Sequence, residues 1–323
     1  MVKLSVIVPF YNVQAYAPDT LRSLADNARK DFEFILVDDC SADETPELLE
    51  RAHRTLPGSV LVRHPRNAGL AAARNTGLAS AQGRYITFLD GDDWLRPGYL
   101  SDLVDAIETL DCDFVRTDHV QCTGRKRTLH RVPHGRRNEK LSPREAILPA
   151  DRTTSVDYAY AWAGIYHRRL HEAGKLDFHA ELRTAEDRPW IWRLHREAES
   201  FAVVGLFGIF YRRAVATSLT QIGDERQLAF IRSFDQVLDD VAKDPEADRL
   251  MPKAVRTYCA IINHHLSNID RFEPAVARRL KSMSAQALRR MPQEVLTEAL
   301  DSMDHQRSIR LRRLRRRPVK AAA

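Results

Sequence analysis

Residues 1–116 alternate short apolar runs with stretches of helical spacing, and each of the apolar runs gives way to polar residues. β-Branched and aromatic composition predicts strands over 4–10, 32–37, 60–62, 85–89 and 112–116. Apolar side chains three and four apart predict helices over 17–29, 43–53, 68–81 and 97–110. Strand and helix in this succession constrain the fold more than anything else in the chain. They specify the α/β class: a doubly wound, Rossmann-like, mainly parallel sheet with right-handed crossovers. Such sheets bind ligands beyond the carboxyl ends of their strands. The polar motifs that close the runs therefore fall along one edge and can meet at one site.

The most acidic of these ends lies in residues 84–94, R-Y-I-T-F-L-D-G-D-D-W. A run suited to burial on both faces stops there in Asp90, Asp92 and Asp93 around Gly91. Three carboxylates in four residues repel one another, and burying them is costly without a cation; hard oxygen donors suit Mg²⁺ or Mn²⁺ better than zinc. A D-x-D string alone fits an acidic strand-to-helix turn equally well, so the neighbouring strand ends decide. Pro9-Phe10-Tyr11-Asn12 offers an aromatic ring to a nucleobase, and Asp38-Asp39 offers carboxylates to base N–H groups or ribose hydroxyls. Asn67-Ala68-Gly69, leading to Arg74-Asn75, opens a helix whose backbone N–H groups and arginine favour anionic or base-edge contacts. Singly, each motif also reads as a turn, a cap or a surface pair. Four at strand ends of one sheet point to a nucleotide diphosphate beside a divalent ion.

The net charge of +6 suggests nucleic acid until it is located. Residues 307–320 hold eight Lys and Arg and no acid; without them 42 basic residues face 44 acidic ones, so the basicity belongs to the C-terminal tail. Cys40, Cys112, Cys122 and Cys259 form no C-x-x-C pair or zinc spacing, which fits unpaired thiols in a reducing compartment. The N-terminus runs directly into a strand, and the longest apolar stretch, near 202–211, is too short to span a bilayer. A cytoplasmic location is expected.

Beyond residue 117 the alternation dissolves. Residues 117–137 read as loop or hairpin, Ser142-Pro143-Arg144-Glu145 resembles a helix capping box, 158–170 and 188–197 read as helices, and 201–211 as a strand. After Glu225, one-sided stripes such as Val255, Cys259, Ile262 and Leu266 predict helices with ordinary core faces. His167 and His171 stand four apart, but Arg168 occupies the place of a zinc protease's glutamate, so they read as surface residues.

The strings V-I-V-P-F-Y-N, L-V-D-D-C-S-A-D-E-T, N-A-G-L-A-A-A-R-N-T-G and F-L-D-G-D-D-W resemble the family 2 glycosyltransferases of GT-A fold over about the first 120 residues. The resemblance implies an inverting transferase using a nucleotide-diphosphate sugar, UDP-linked. It places Pro9, Tyr11, Asp39 and Asn67 at the nucleotide with Arg74 near the base, and Asp90, Gly91 and Asp92 at a metal-bound diphosphate. Thr184-Ala185-Glu186-Asp187 resembles the family's E-D motif, which makes Asp187 the general base and Glu186 an acceptor-orienting group. Trp190 reads either as a sugar-stacking ring or as core. Members that decorate wall teichoic acids or build surface polysaccharides follow this motif with a tyrosine-arginine strand and a serine on the diphosphate. Tyr211-Arg212-Arg213 and Ser218 stand in those places, and the adjacent arginines leave open which one reaches phosphate. The implied organisation is a nucleotide-sugar half over 1–120, an acceptor-binding catalytic half over 121–220, a helical region over 221–305 and a basic tail over 306–323. The implied partners are the sugar-nucleotide donor and a glycan, teichoic-acid-like or lipid-linked acceptor.

Two rival readings remain. Nucleotidyl transfer needs a glycine-rich triphosphate loop on the first strand, which P-F-Y-N is not. A non-catalytic scaffold, or the front half of a bifunctional polymer-synthesis enzyme, predicts degenerate carboxylates, whereas Asp90, Asp92 and Asp187 are all present. In the tail, Ile309, Leu311 and Leu314 interleave with arginines. That pattern fits either a helix lying on an anionic membrane or polymer, or a solvated, frayed end. It carries no aromatic to stack on bases, which argues against nucleic acid.

Overall fold

The computed structural model describes residues 1–213 and 223–316; Ser218 and the tail beyond Arg316 lie outside the described residues. The first part runs β1 (Leu4–Phe10), α1 (Ala17–Ala25), β2 (Phe32–Asp38), α2 (Thr45–Thr55), β3 (Ser59–Arg63), α3 (Leu70–Ser80), β4 (Tyr85–Phe88), β5 (Trp94–Leu95), α4 (Tyr99–Leu110) and β6 (Phe114–Thr117). The hairpin β7 (His119–Thr123) and β8 (Lys126–His130) follows, then β9 (Gly164–His167), α5 (Arg169–Glu172), α6 (Asp187–Glu197), β10 (Phe201–Val204) and β11 (Ile209–Arg212). Five helices close the described chain: α7 (Ala229–Ala242), α8 (Ala247–Ser267), α9 (Pro274–Arg290), α10 (Gln293–Asp301) and α11 (His305–Arg315).

Seven strands form the main sheet in the order β10-β6-β9-β4-β1-β2-β3, parallel except for β9, which runs antiparallel between β4 and β6. Strands β1 and β2 are buried along their whole length, and the two polar side chains inside them pair with each other, Ser5 donating to Glu33 Oε1 at 2.5 Å. Helix α3 lies close on β1 because Gly77 leaves room: a Cβ there would stand 2.2 Å from Ile7 Cγ2. A four-stranded sheet in the order β5-β11-β7-β8 sits beside the acidic turn after β4. This is the expected α/β architecture with a helical C-terminal region.

Three local expectations fail. Residues 158–170 are not a helix: a 3-10 turn at Ser155–Asp157 leads into β9, and only α5 is helical. Tyr166 and Ile165 are buried on both faces of a central strand, and a fully apolar run carries no period that separates strand from helix. Residues 201–211 form two strands in different sheets, separated by Gly205 to Gly208. Gly208 packs on Tyr99, where a Cβ would lie 1.9 Å from Cδ2. The capping-box string yields a single 3-10 turn, Glu145–Ile147, with no side-chain cap. Arg144 is turned instead toward the C-terminal helices, where it pairs with Asp244 and with Glu246 at 2.6 Å.

The helical region is firmly joined to the sheet domain. Lys253 of α8, 2% exposed, donates to Asp157 Oδ2 at 2.6 Å. The basic tail begins as a packed helix: Leu311 and Leu314 of α11 are buried against the bundle, and Arg312 pairs with Asp301 at 2.5 Å. Two of the three apolar residues of its strip are core and Ile309 is half-buried, so over 305–315 the tail is a packed helix and not a frayed end.

Candidate active site

The carboxyl end of β2 builds one side of the cleft. Asp39 is 3% exposed and all its acceptor capacity is engaged. Oδ1 accepts from the backbone N–H of Ala68 at 2.8 Å and lies 2.7 Å from His64 Nδ1; Oδ2 accepts from Gly69 N–H at 2.8 Å and Asn67 Nδ2 at 2.9 Å. With Nδ1–H donating to Asp39, the Nε2 of His64 is left to accept from the Thr76 hydroxyl at 2.9 Å. Asp39 and Asn67 thus shape the 67–69 turn. That turn needs glycine at 69, where φ is +94° and a Cβ would meet Arg183 Nη1 at 2.7 Å. Pro9 is the penultimate residue of β1, and Tyr11, just beyond its carboxyl end, is 47% exposed and presents an open aromatic face.

The carboxyl end of β4 builds the other side. Gly91 nestles so closely that a Cβ would stand 2.6 Å from Phe10 Cδ1 and 2.7 Å from the Pro9 carbonyl. Thr20 of α1 donates to the carbonyls of Gly91 at 2.9 Å and Asp93 at 2.7 Å, fixing the acidic turn from behind. The three acids then separate. Asp93 is fully buried and accepts the backbone N–H of Arg212 at 2.6 Å, so it tethers β11. Asp92 has its carboxyl pushed up to about 6, because burial and the neighbouring Asp90 both oppose its ionisation.

Asp90 belongs to a larger cluster. Arg74, 1% exposed, donates from Nη2 to Asp90 Oδ1 at 2.9 Å and from Nη1 to Glu186 Oε1 at 3.0 Å and Asp187 Oδ1 at 2.7 Å. One guanidinium thereby joins a helix of the N-terminal part to the acidic turn and to the E-D motif more than a hundred residues away. Arg74 was expected near a nucleobase; it is committed to carboxylates instead. Burial alone would lower its pKa, but Asp187, Asp90 and Glu186 together raise it. Burial and Asp187 push the Glu186 carboxyl up to about 7 against the pull of Arg74. Asp187 is likewise raised by burial, with Arg74 opposing.

Asp187 opens α6, where the helix dipole favours a negative charge. Trp190 is core: fully buried, it donates to the Leu176 carbonyl at 2.8 Å and stacks on Phe178. Of the two adjacent arginines, Arg212 faces the acidic turn. Its Nε donates to the Asp92 carbonyl at 2.8 Å and its Nη2 to Asp19 at 3.1 Å, over the rings of Trp94 and Tyr16. Arg213 donates to the Tyr211 hydroxyl at 3.0 Å. Among the described residues no three His, Cys, Asp or Glu side chains are grouped to hold a metal ion. Asp90 and Asp92 are partly open hard donors in an acid-rich turn, a set that suits a small divalent ion whose remaining ligands come from substrate phosphates and water.

The family model for Glycosyl transferase family 2 matches residues 5–173, more than half of the chain. The chain belongs to this family. It is 32% identical over 226 residues to the glycosyltransferase EpsJ of Bacillus subtilis (strain 168), covering 68% of this chain and 63% of that one. It is 29% identical over 213 residues to the poly(ribitol-phosphate) beta-N-acetylglucosaminyltransferase TarS of Staphylococcus aureus (strain Mu50 / ATCC 700699), covering 65% and 35%. The matched part thus spans less than two thirds of either relative. Among solved structures, S. aureus TarS 1-349 in complex with UDP-GlcNAc superposes with a TM-score of 0.75 at 20% identity, covering 97% of this chain and 87% of that one. That likeness is one of fold, and it includes the C-terminal helices. The family 2 match itself ends at residue 173, before Glu186 and Asp187.

Two residues in this family 2 site escaped sequence reasoning. His64 directly follows β3, and asking what closes the third strand, as was asked of the others, would have found it. Ser233 of α7 donates to the Ala185 carbonyl at 2.8 Å, and nothing in the sequence signals that contact.

Proposed function

We propose that this glycosyltransferase moves a sugar with inversion from a nucleotide-diphosphate sugar, UDP-linked, to a hydroxyl of a cell-surface polymer or lipid-linked glycan. The observation that carries the reading is the bridging of Asp90, Glu186 and Asp187 by Arg74, which sets a carboxylate fit for donor chemistry beside one fit for acceptor chemistry. Asp187 is the general base: burial raises its proton affinity, and its side chain at the start of α6 stays 18% exposed. Glu186 orients the acceptor. Tyr11 lies under the base, with the turn shaped by Asp39 and Asn67 at its edge. Asp90 and Asp92 would hold Mn²⁺ or Mg²⁺, which supplies Lewis-acid stabilisation of the departing diphosphate. Arg212 stands beside that turn as a fixed positive charge, and Ser218 is assigned to the same diphosphate from its sequence position. TarS is a poly(ribitol-phosphate) transferase whose structures include complexes with UDP and with UDP-GlcNAc, which favours UDP and a phosphate-rich acceptor here.

Residues 1–120 are assigned to donor binding, 121–220 to the acceptor and catalysis, and 221–305 to support of that half. Among the described residues no helix is long and apolar enough to cross a membrane. Peripheral contact with an anionic inner membrane face is assigned to the exposed cations Arg307, Arg313 and Arg316, without the buried leucines of α11. The test of the function is release of nucleotide diphosphate from a panel of sugar nucleotides with Mn²⁺ or Mg²⁺. Metal-dependent release from one donor supports the reading, and no release from any of them removes it.

A further inference from the structure

Glu186 and Asp187 are held in place from outside the sheet domain. The residue before them, Ala185, has a left-handed backbone with φ of +59°, a conformation that a residue with a Cβ adopts only when its surroundings enforce it. The enforcing contacts come from beyond residue 223. The hydroxyl of Ser233, on the buried face of α7, donates to the Ala185 carbonyl at 2.8 Å. The hydroxyl of Thr184 donates to the Arg226 carbonyl at 2.7 Å, in the 3-10 turn that leads into α7. Two successive residues are thus pinned to one element, one through its side chain and one through its carbonyl. The next two residues are the carboxylates that meet Arg74. On the far side of Asp187, Arg188 Nη1 donates to the Asp157 carbonyl at 3.2 Å, and the Asp157 carboxylate takes Lys253 Nζ at 2.6 Å and Thr257 Oγ1 at 3.1 Å, both from α8.

We infer that Ser233 and Thr184 are positioning residues for the Glu186–Asp187 pair, and that the catalytic unit extends through α7 and α8. The inference rests on the proposed role of Asp187. A carboxylate misplaced by a fraction of an ångström loses its line to the acceptor proton, whereas the nucleotide edge formed by β1, β2 and the 67–69 turn is held by its own contacts to Asp39.

The test uses the full chain, the donor of the panel that the wild type turns over fastest, Mn²⁺, and a temperature well below the unfolding midpoint of every variant. Ser233→Ala and Thr184→Val should each lower kcat about five-fold, the factor that one lost hydrogen bond is worth. The donor KM and the Kd for UDP should stay within two-fold of wild type, and Ser233→Thr, which keeps the hydroxyl, should recover most of kcat. A contact that serves stability alone would lower the melting temperature and leave kcat where it was. Wild-type kcat in both single variants and in their combination overturns the inference, as does a loss confined to UDP affinity. Asp187→Asn measured alongside separates the two readings: if it is slow while the positioning variants run at wild-type rate, only the inference falls. If Asp187→Asn keeps full turnover, the base assignment falls.

Discussion

Replacing Arg74 by methionine keeps an unbranched stem and removes the one cation shared by Asp90, Glu186 and Asp187. Breaking a buried ion pair from one side costs about 3–5 kcal/mol, because the partner charge is left uncompensated. Against a typical folding stability of about 5–15 kcal/mol, that makes Arg74→Met marginal at neutral pH. The penalty should depend on pH in a definite sense. Glu186 already has its folded pKa pushed up to about 7 from an ordinary 4.5, and without Arg74 the folded values of Glu186 and Asp187 rise further. A carboxylate whose folded pKa is raised binds its proton more tightly in the native state, so its stabilising contribution is complete below its ordinary pKa and is lost as pH rises through the folded value. The difference between wild type and Arg74→Met should therefore be small near pH 5, where Glu186 and Asp187 can stand neutral, and be clearly larger at pH 8, above the Glu186 value of about 7. Urea unfolding in EDTA at both pH values measures it. An equal penalty at pH 5 and pH 8, or one below about 1 kcal/mol at pH 8, would refute the account of Arg74 as the counter-charge of the cluster.

Other expectations can be checked with the same reagents. Asp187→Asn should bind UDP like wild type and slow transfer by roughly 10²-fold or more, the usual worth of a positioned general base, read as kcat against Kd. Asp92→Ala should abolish the gain in UDP affinity that Mn²⁺ gives the wild type, seen by calorimetry with and without EDTA; an unchanged metal effect would remove Asp92 from the metal site. Gly77→Ala should lower stability by about 1–3 kcal/mol through overpacking against Ile7, with UDP affinity retained, as thermal melting and calorimetry would show.

The sheet was legible because the strands feeding the site are uniform in character. The runs ending at Phe10, Asp38 and Phe88 need only burial on both faces, and the succession of strand and helix orders them. The acidic turn was legible as a place but not as an arrangement. Sequence brings Asp90, Asp92 and Asp93 together, whereas the fold gives Asp90 to Arg74, leaves Asp92 at the turn and buries Asp93 on the backbone of Arg212. What sequence could not yield are contacts between distant segments: Arg74 with Asp187, Thr184 with Arg226, Ser233 with Ala185. Arginine on a helix beside a strand end suits a ligand or a carboxylate equally well until tertiary packing chooses. The reading of 158–170 as helix failed for the related reason that β9 is a central strand inserted from far along the chain, with no turn signal of its own.

The two ends of the main sheet differ in a way that bears on how this protein behaves when crowded with copies of itself. Along β10 the backbone is already paired: Leu141 and Phe201 exchange hydrogen bonds at 2.8 and 2.9 Å, and Asn138 donates to the Val203 carbonyl. A foreign strand finds no free ladder there. At the opposite end β3 offers the exposed Val60, and in the small sheet the outer strand β8 offers Leu129, 60% exposed. Charged residues guard both: Arg63 closes β3, and Lys126 and Arg127 open β8. Cations on an outer strand discourage edge-to-edge stacking because each added copy brings like charges into register. That protection is electrostatic, so it weakens as salt rises, and concentrated stocks of this protein are best kept at low ionic strength.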